Sequence, residues 1–274
     1  MSTAVQIHPT LEDLPRPPLR KVVCIHLLLS LVVLALVALL VFFFWFPSPL
    51  GQLAGGLRLF STLLGVDLVC GPLLTLLLYR ATKTRLALVV DFALIALLQF
   101  AALGYGLHTL AYARPLAQVF EVDRFRLVSY ADIAELDLQN LPDWAQPWRV
   151  GKLRTLGLRE AASANERLQS FGSSLAGVDA GQWPSRWQDY ALNRKQVLER
   201  SKPLAALIAV HPTYVDLINK AANEAMDDIQ AGETRDADQL LWLPLVSRSS
   251  LDWVVLLDPS SLRIRAYVPL DGFK

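Results

Sequence analysis

Cysteine is nearly missing. Two occur in 274 residues, Cys24 and Cys70, both inside apolar runs. A disulfide scaffold is excluded, because nothing after Cys70 has a thiol to pair. The chain also lacks a Gly-x-Ser-x-Gly elbow, a Gly-x-Gly-x-x-Gly turn and a Gly-Lys-Ser/Thr phosphate loop. Those absences remove the common signatures of acyl transfer and nucleotide binding. His211 is the only histidine after residue 112, and it precedes Pro212. It reads as a surface or helix-capping residue, since a metal site there would lack partners. No cofactor or metal is expected. Basic excess is missing too: residues 113–274 carry 19 Lys+Arg against 21 Asp+Glu, a net of −2. Nucleic-acid binding normally needs the opposite balance.

Charge is scarcest at the start. Val22 to Phe46 is 25 residues without one charged side chain. A helix needs about 20 apolar residues to cross the hydrocarbon core. The run is longer than the apolar part of a signal peptide and ends in "FWFPSPLG" without a small-x-small cleavage pattern, so it reads as a retained span. Residues 57–79 and 86–112 form two more spans, joined by "RATKTR". Lipid offers the backbone no hydrogen bonds, which makes helices the economical way across. Three parts follow: a flexible Pro-rich tail at 1–21, a three-helix membrane domain at 22–112, and a mixed-charge domain at 113–274.

Basic residues in short loops set the direction. Arg16, Arg20 and Lys21 precede the first span, and Arg80, Lys83 and Arg85 join the second to the third, whereas "PSPLGQLAGG" is uncharged. The N-terminus and the Arg80–Arg85 loop are expected in the cytoplasm. The C-terminal domain is then expected outside the cytoplasm, with the spans in contact with lipid.

Two carboxylates interrupt the hydrocarbon. Asp67 lies about 15 Å from the outer end of its span, near the midplane, and Asp91 about 8 Å from the cytoplasmic end of the third, at nearly the depth of His26. His26 and Asp91 can pair if their helices face one another. A mid-bilayer aspartate is costly, so it marks either a partner contact or a tie among the helices. Gln99 is the nearest polar residue in depth and the first candidate to bond with Asp67. Leu64, Asp67, Cys70, Gly71 and Leu74 fall on one stripe by helical spacing, and small Cys70 and Gly71 favour close approach of another helix. Pro72 removes a backbone donor one turn later, and Thr75 is placed to bond back to the Gly71 carbonyl. Intramembrane aspartyl proteases use two aspartates, but the depths of Asp67 and Asp91 differ by about 10 Å. The Gly-x-Gly-Asp signature is missing as well, which argues against a catalytic pair.

"IHLLLSLVVLALVALLVFFFWFPSPL", "GVDLVCGPLLTLLLY" and "DFALIALLQFAALGYGLHTLAYARPLAQVFEVDRF", in that order and spacing, resemble the TfpX/TfpZ family of type IV pilin accessory proteins. The likeness is strongest from Ile25 to Phe125. The closing "VVLLDPSSLRIRAYVPL" is similar to the family's last strands, and the tail before Arg20 is longer than the family pattern. The resemblance implies an inner-membrane protein that assists assembly or stability of a type IV pilin, usually a cognate one, and is not an enzyme. It also implies a role for Gly65, Asp67, Gly71 and Pro72, and for Tyr105, Arg114 and Pro115. A membrane-tethered envelope sensor or scaffold unrelated to pili is the alternative.

The C-terminal domain is expected to be α+β with a small antiparallel sheet. "LAQVFEVDRFRLVSY" and "WVVLLDPSSLRIRAYVPL" read as strand pairs, with "LLWLPLV" and "WRVGKLRTLGL" as weaker strands. Residues 160–175, 185–200 and 213–231 read as helices. Most of Trp144, Trp148, Trp183, Trp187, Trp242 and Trp253 are expected in the core, with "WPSRW" as an alternative protein-binding patch. "MDDIQAGETRDAD" reads as a solvated loop, because it lacks calcium-loop spacing.

Overall fold

The computed structural model describes residues 17–80, 82–149 and 151–274. Helix α1 (Leu19–Leu40) runs on into a π turn at Val41–Trp45 and is followed by the one-turn α2 (Leu50–Leu53), α3 (Gly56–Leu78) and α4 (Arg85–Ala113). The three long helices each have the length and apolar composition to cross a membrane. Their ends lie within three residues of those expected, because an uninterrupted apolar run leaves little choice. The described residues divide into two compact units, one holding 17–41 with 58–110, the other 42–57 with 111–274.

In the first unit α3 presents a buried stripe of Phe60, Leu63, Asp67, Gly71 and Thr75, continued past its end by Tyr79. The steps of three and four follow the helical period, so one face packs and the rest stays open. Leu63 lies against Gly106 of α4, where an added Cβ would collide with its methyl groups. Most large apolar side chains of α1, α3 and α4 point outward, among them Leu36, Val69, Leu97 and Phe100. That is the pattern of helices bathed in lipid or in a partner helix.

The second unit is built on one eight-stranded sheet. Its strands are β1 (Pro115–Glu121), β2 (Arg124–Ser129), β3 (Arg154–Leu158), β4 (Trp187–Asp189), β5 (Lys202–Pro203), β6 (Leu241–Val246), β7 (Trp253–Leu257) and β8 (Ile264–Val268). The order is β4-β3-β1-β2-β6-β7-β8, with β5 beside the first half of β6. Both expected hairpins form, as β1–β2 and β7–β8. The sheet is mixed, because β1 runs parallel to β3 and β2 parallel to β6. The α+β class holds, and the sheet is larger than the small antiparallel one expected.

Alternation along the strands feeds two cores. Leu243, Leu245, Val255 and Leu257 face one side with Phe120, Phe125 and Leu127. Trp242, Val254, Leu256 and Val268 face the other, under α7 (Leu204–Val210) and α8 (Val215–Glu224). Burial on both faces is why β7 reads as unbroken hydrocarbon. The first core has a further contributor: Leu50 and Leu53 of α2 fill it beside Phe125 and Leu245. The uncharged turn between the first two long helices is therefore part of this unit.

Three expected helices are shorter than read. Helix α5 (Ala164–Leu175) starts after Ser163, whose hydroxyl accepts from the Glu166 amide. Residues 185–200 are helical by α criteria only in α6 (Arg194–Arg200), because Trp187–Asp189 pairs with β3 instead. The third is α8, and α7 before it was not expected. Helix α5 packs by its polar side, through the Arg159–Glu166 ion pair and the Arg186–Ser170 hydrogen bond. It leaves Leu168, Phe171 and Leu175 exposed.

Candidate functional site

The polar residues of the long helices meet at one place in the first unit. Asp67 sits at the middle of the 23-residue α3 and is 6% exposed. Gln99 of α4 and His26 of α1 are the two side chains that act on its carboxyl group. One turn on, Gly71 provides the space that this requires. A Cβ there would collide with Gln99 Nε2 and stand 2.8 Å from His26 Nε2.

Thr75 closes the cluster. Its Oγ1 donates to the Gly71 carbonyl at 3.0 Å and lies 3.0 Å from His26 Nδ1. A hydroxyl has one hydrogen, so His26 Nδ1 must supply the proton of the second bond. The Nε2 edge of the ring is thereby the one turned toward Gly71 and Gln99. Helix α3 contributes Asp67 and Thr75, α1 contributes His26 and α4 contributes Gln99.

Other sequence-named residues lie elsewhere. Asp91 is not the partner of His26; it pairs with Lys83 at 2.5 Å, in keeping with its place near the start of α4. Gly65 and Cys70 are exposed, the latter as a free thiol. The stripe through Asp67 runs along Gly71 and Thr75 by steps of four, and Cys70 falls off it. Pro72 is contained in α3, which continues through it. The Thr75–His26 bond was not foreseen, although Thr75 lies four residues beyond Gly71.

Several ionisable groups of the second unit form structural pairs. Among the described residues no group of three His, Cys, Asp or Glu side chains is placed to hold a metal ion. His211 caps α7 and is buried, with Nε2 2.8 Å from the Asp271 carbonyl, so it is not the surface residue first considered. "WPSRW" is tied down: Trp187 donates to the Gly181 carbonyl and stacks on Trp144 at 5.9 Å, and Arg186 bonds Ser170 and the Arg159 carbonyl. Trp242 and Trp253 are core residues, while Trp148 is 55% exposed.

The acidic segment is less solvated than its composition indicates. Glu233 inserts its side chain beside Arg263, at 2.7 Å, and near Arg265. Hydrogen bonds from Arg263 hold its carboxyl group at about 2, against the opposing effect of burial. Asp258, fully buried, accepts from the amides of Thr234, Ser260 and Ser261 and shapes the β7–β8 turn.

Residues 19–55, which cover α1 and the turn after it, match the family model described as fimbrial assembly protein FimB. The chain is 35% identical over 255 residues to the fimbrial assembly protein of Dichelobacter nodosus serogroup I, covering 93% of this chain and 96% of that one. The serogroup E1 counterpart is 34% identical over the same coverage. A shorter protein of serogroups C1 and C2 is 44% identical over 113 residues, 41% of this chain and 86% of its own length. No solved structure matches the chain. The TfpX/TfpZ likeness thus reduces to a broader statement, that the chain belongs to the fimbrial assembly protein family.

Proposed function

We propose that the protein is an inner-membrane accessory factor that assists assembly or stability of a type IV pilin, without catalysis, as the TfpX/TfpZ resemblance implies. The observation that carries this reading is similarity over nearly the whole length of two fimbrial assembly proteins. The basic residues flanking the spans support a cytoplasmic N-terminus and a periplasmic C-terminal domain. The presence of the 42–57 segment and the C-terminal domain in one unit fits that arrangement, since both must lie on one side of the bilayer.

The pilin anchor is proposed to dock in the membrane on the open flank of α3, where Gly65, Val66, Val69, Cys70 and Leu73 are exposed. Small residues there allow close approach of a second helix. Asp67, on the opposite stripe, then acts by holding α1, α3 and α4 in register with His26 and Gln99. The exposed Leu168, Phe171 and Leu175 of α5 are the proposed contact for the pilin head.

A photoreactive group attached at Cys70 of the full chain in the native membrane tests this. Capture of a pilin is expected. Capture of unrelated proteins alone would reject the pilin as partner.

A further inference from the structure

The segment Trp148–Arg154 stands apart from the rest of the C-terminal domain in charge. Arg149, Lys152 and Arg154 fall within six residues that contain no acid, in a domain whose net charge is −2. All three are exposed, and among the described residues none forms an ion pair. The guanidinium of Arg154 lies over the Trp144 ring at 4.4 Å.

Two contacts within the second unit fix the level of this segment. Trp148 meets Trp45, in the π turn that ends α1, edge to face with ring centroids 5.9 Å apart. Arg114, directly after α4, donates from Nη2 to the Gln146 carbonyl at 3.1 Å. Both anchors are the ends of membrane-length helices, so the described residues of the segment sit where hydrocarbon gives way to headgroups. Tryptophan favours that boundary, and clustered cations there attract anionic lipid.

We propose that Trp148, Arg149, Lys152 and Arg154 form a membrane foot, with Trp148 seated at the interface and the three cations holding phospholipid phosphates, preferentially those of anionic lipid. The inference rests on α1 and α4 crossing the membrane, and not on the pilin. Charge complementarity selects the occupant: three unpaired cations at headgroup depth face a surface of phosphates. The shape of guanidinium suits it to bidentate phosphate contacts, and the ammonium adds a point charge.

The full-length chain is placed in nanodiscs of phosphatidylcholine alone or with phosphatidylglycerol, and amine acylation is followed by mass spectrometry. Lys152 is expected to react severalfold more slowly in the anionic disc, while the well-exposed Lys195 keeps its rate. Arg149→Glu should remove much of that protection without altering the melting temperature. Inorganic phosphate added to the neutral disc should not reproduce it. Equal Lys152 rates in the two discs, protection by free phosphate, or protection only after pilin is added would each overturn the proposal. A chain that does not enter the disc would overturn the spans themselves, and the foot with them.

Discussion

Ser247 donates a 2.6 Å hydrogen bond to the carbonyl oxygen of Leu53, a residue 194 positions earlier in the chain. The same oxygen of Ser247 accepts from the amides of Ser249 and Ser250, so one side chain shapes its own turn and secures α2. Leu53 itself is fully buried in the sheet core. Leu53→Ala should therefore destabilise the C-terminal domain by about 2–5 kcal/mol, the usual range for such a cavity. Ser247→Ala should cost about 1–3 kcal/mol, since it leaves buried groups unpaired. Denaturant unfolding of the detergent-solubilised chain, followed by tryptophan emission, measures both.

Gly71 and Gly65 lie six residues apart on α3 and should respond differently to the same change. Gly71→Ala drives a methyl group into Gln99 and His26, whereas nothing lies within 4 Å of a Cβ at Gly65. The first should lose about 1–3 kcal/mol by overpacking, and the second should be near neutral. Asp67→Asn keeps a group able to bond Gln99 and should be milder than Asp67→Leu by about 1 kcal/mol. Melting temperature in detergent and steady-state level in cells distinguish the four variants.

Val122 occupies the β1–β2 turn with φ of 53° and is exposed. A β-branched residue pays about 1–2 kcal/mol for that left-handed conformation. Val122→Gly should accordingly raise stability by about 1 kcal/mol, less the greater freedom of glycine in the unfolded chain. A higher denaturant midpoint at unchanged slope is the expected result.

Acid should act through Glu233. Its carboxyl group is held at about 2, below the ordinary 4.5, chiefly by hydrogen bonds from Arg263. The folded state therefore binds this proton later than the unfolded chain does. The stabilisation is complete above about pH 4.5 and is lost as pH falls toward about 2. Glu233→Gln should be less stable at neutral pH and should show a shallower decline across that window, as measured by unfolding midpoints against pH.

Much of this was legible in the sequence, for identifiable reasons. Span ends follow from hydropathy, a local quantity, and the strand pairs 115–129 and 253–268 follow from alternation around short turns. Depth alone set Gln99 near Asp67, and Gln99 is among the groups that act on its carboxyl. The stripe was not, because spacings of three and four from Asp67 admit both Cys70 and Gly71, and only the packed neighbours choose between them. Pairing of Trp187–Asp189 with β3 overrode a helix-favouring stretch, since an edge strand across the sheet offered it hydrogen bonds. The parallel pairs β1–β3 and β2–β6 join distant segments that share no local signal. Leu50 and Leu53 stood in plain view in an uncharged loop, but an apolar loop beside a membrane looks the same whether it faces lipid or a core.

The place of Leu50 and Leu53 in that core sets an order of events during synthesis. These leucines are made before any strand they support, and the strands that enclose them are completed only when β7 and β8 emerge. A chain whose first hairpin had entered the membrane the wrong way round would hold α2 on the far side and leave the sheet with a hole. Folding of the last-made part thus depends on correct insertion of the first-made part, and a mis-inserted molecule would remain unfinished.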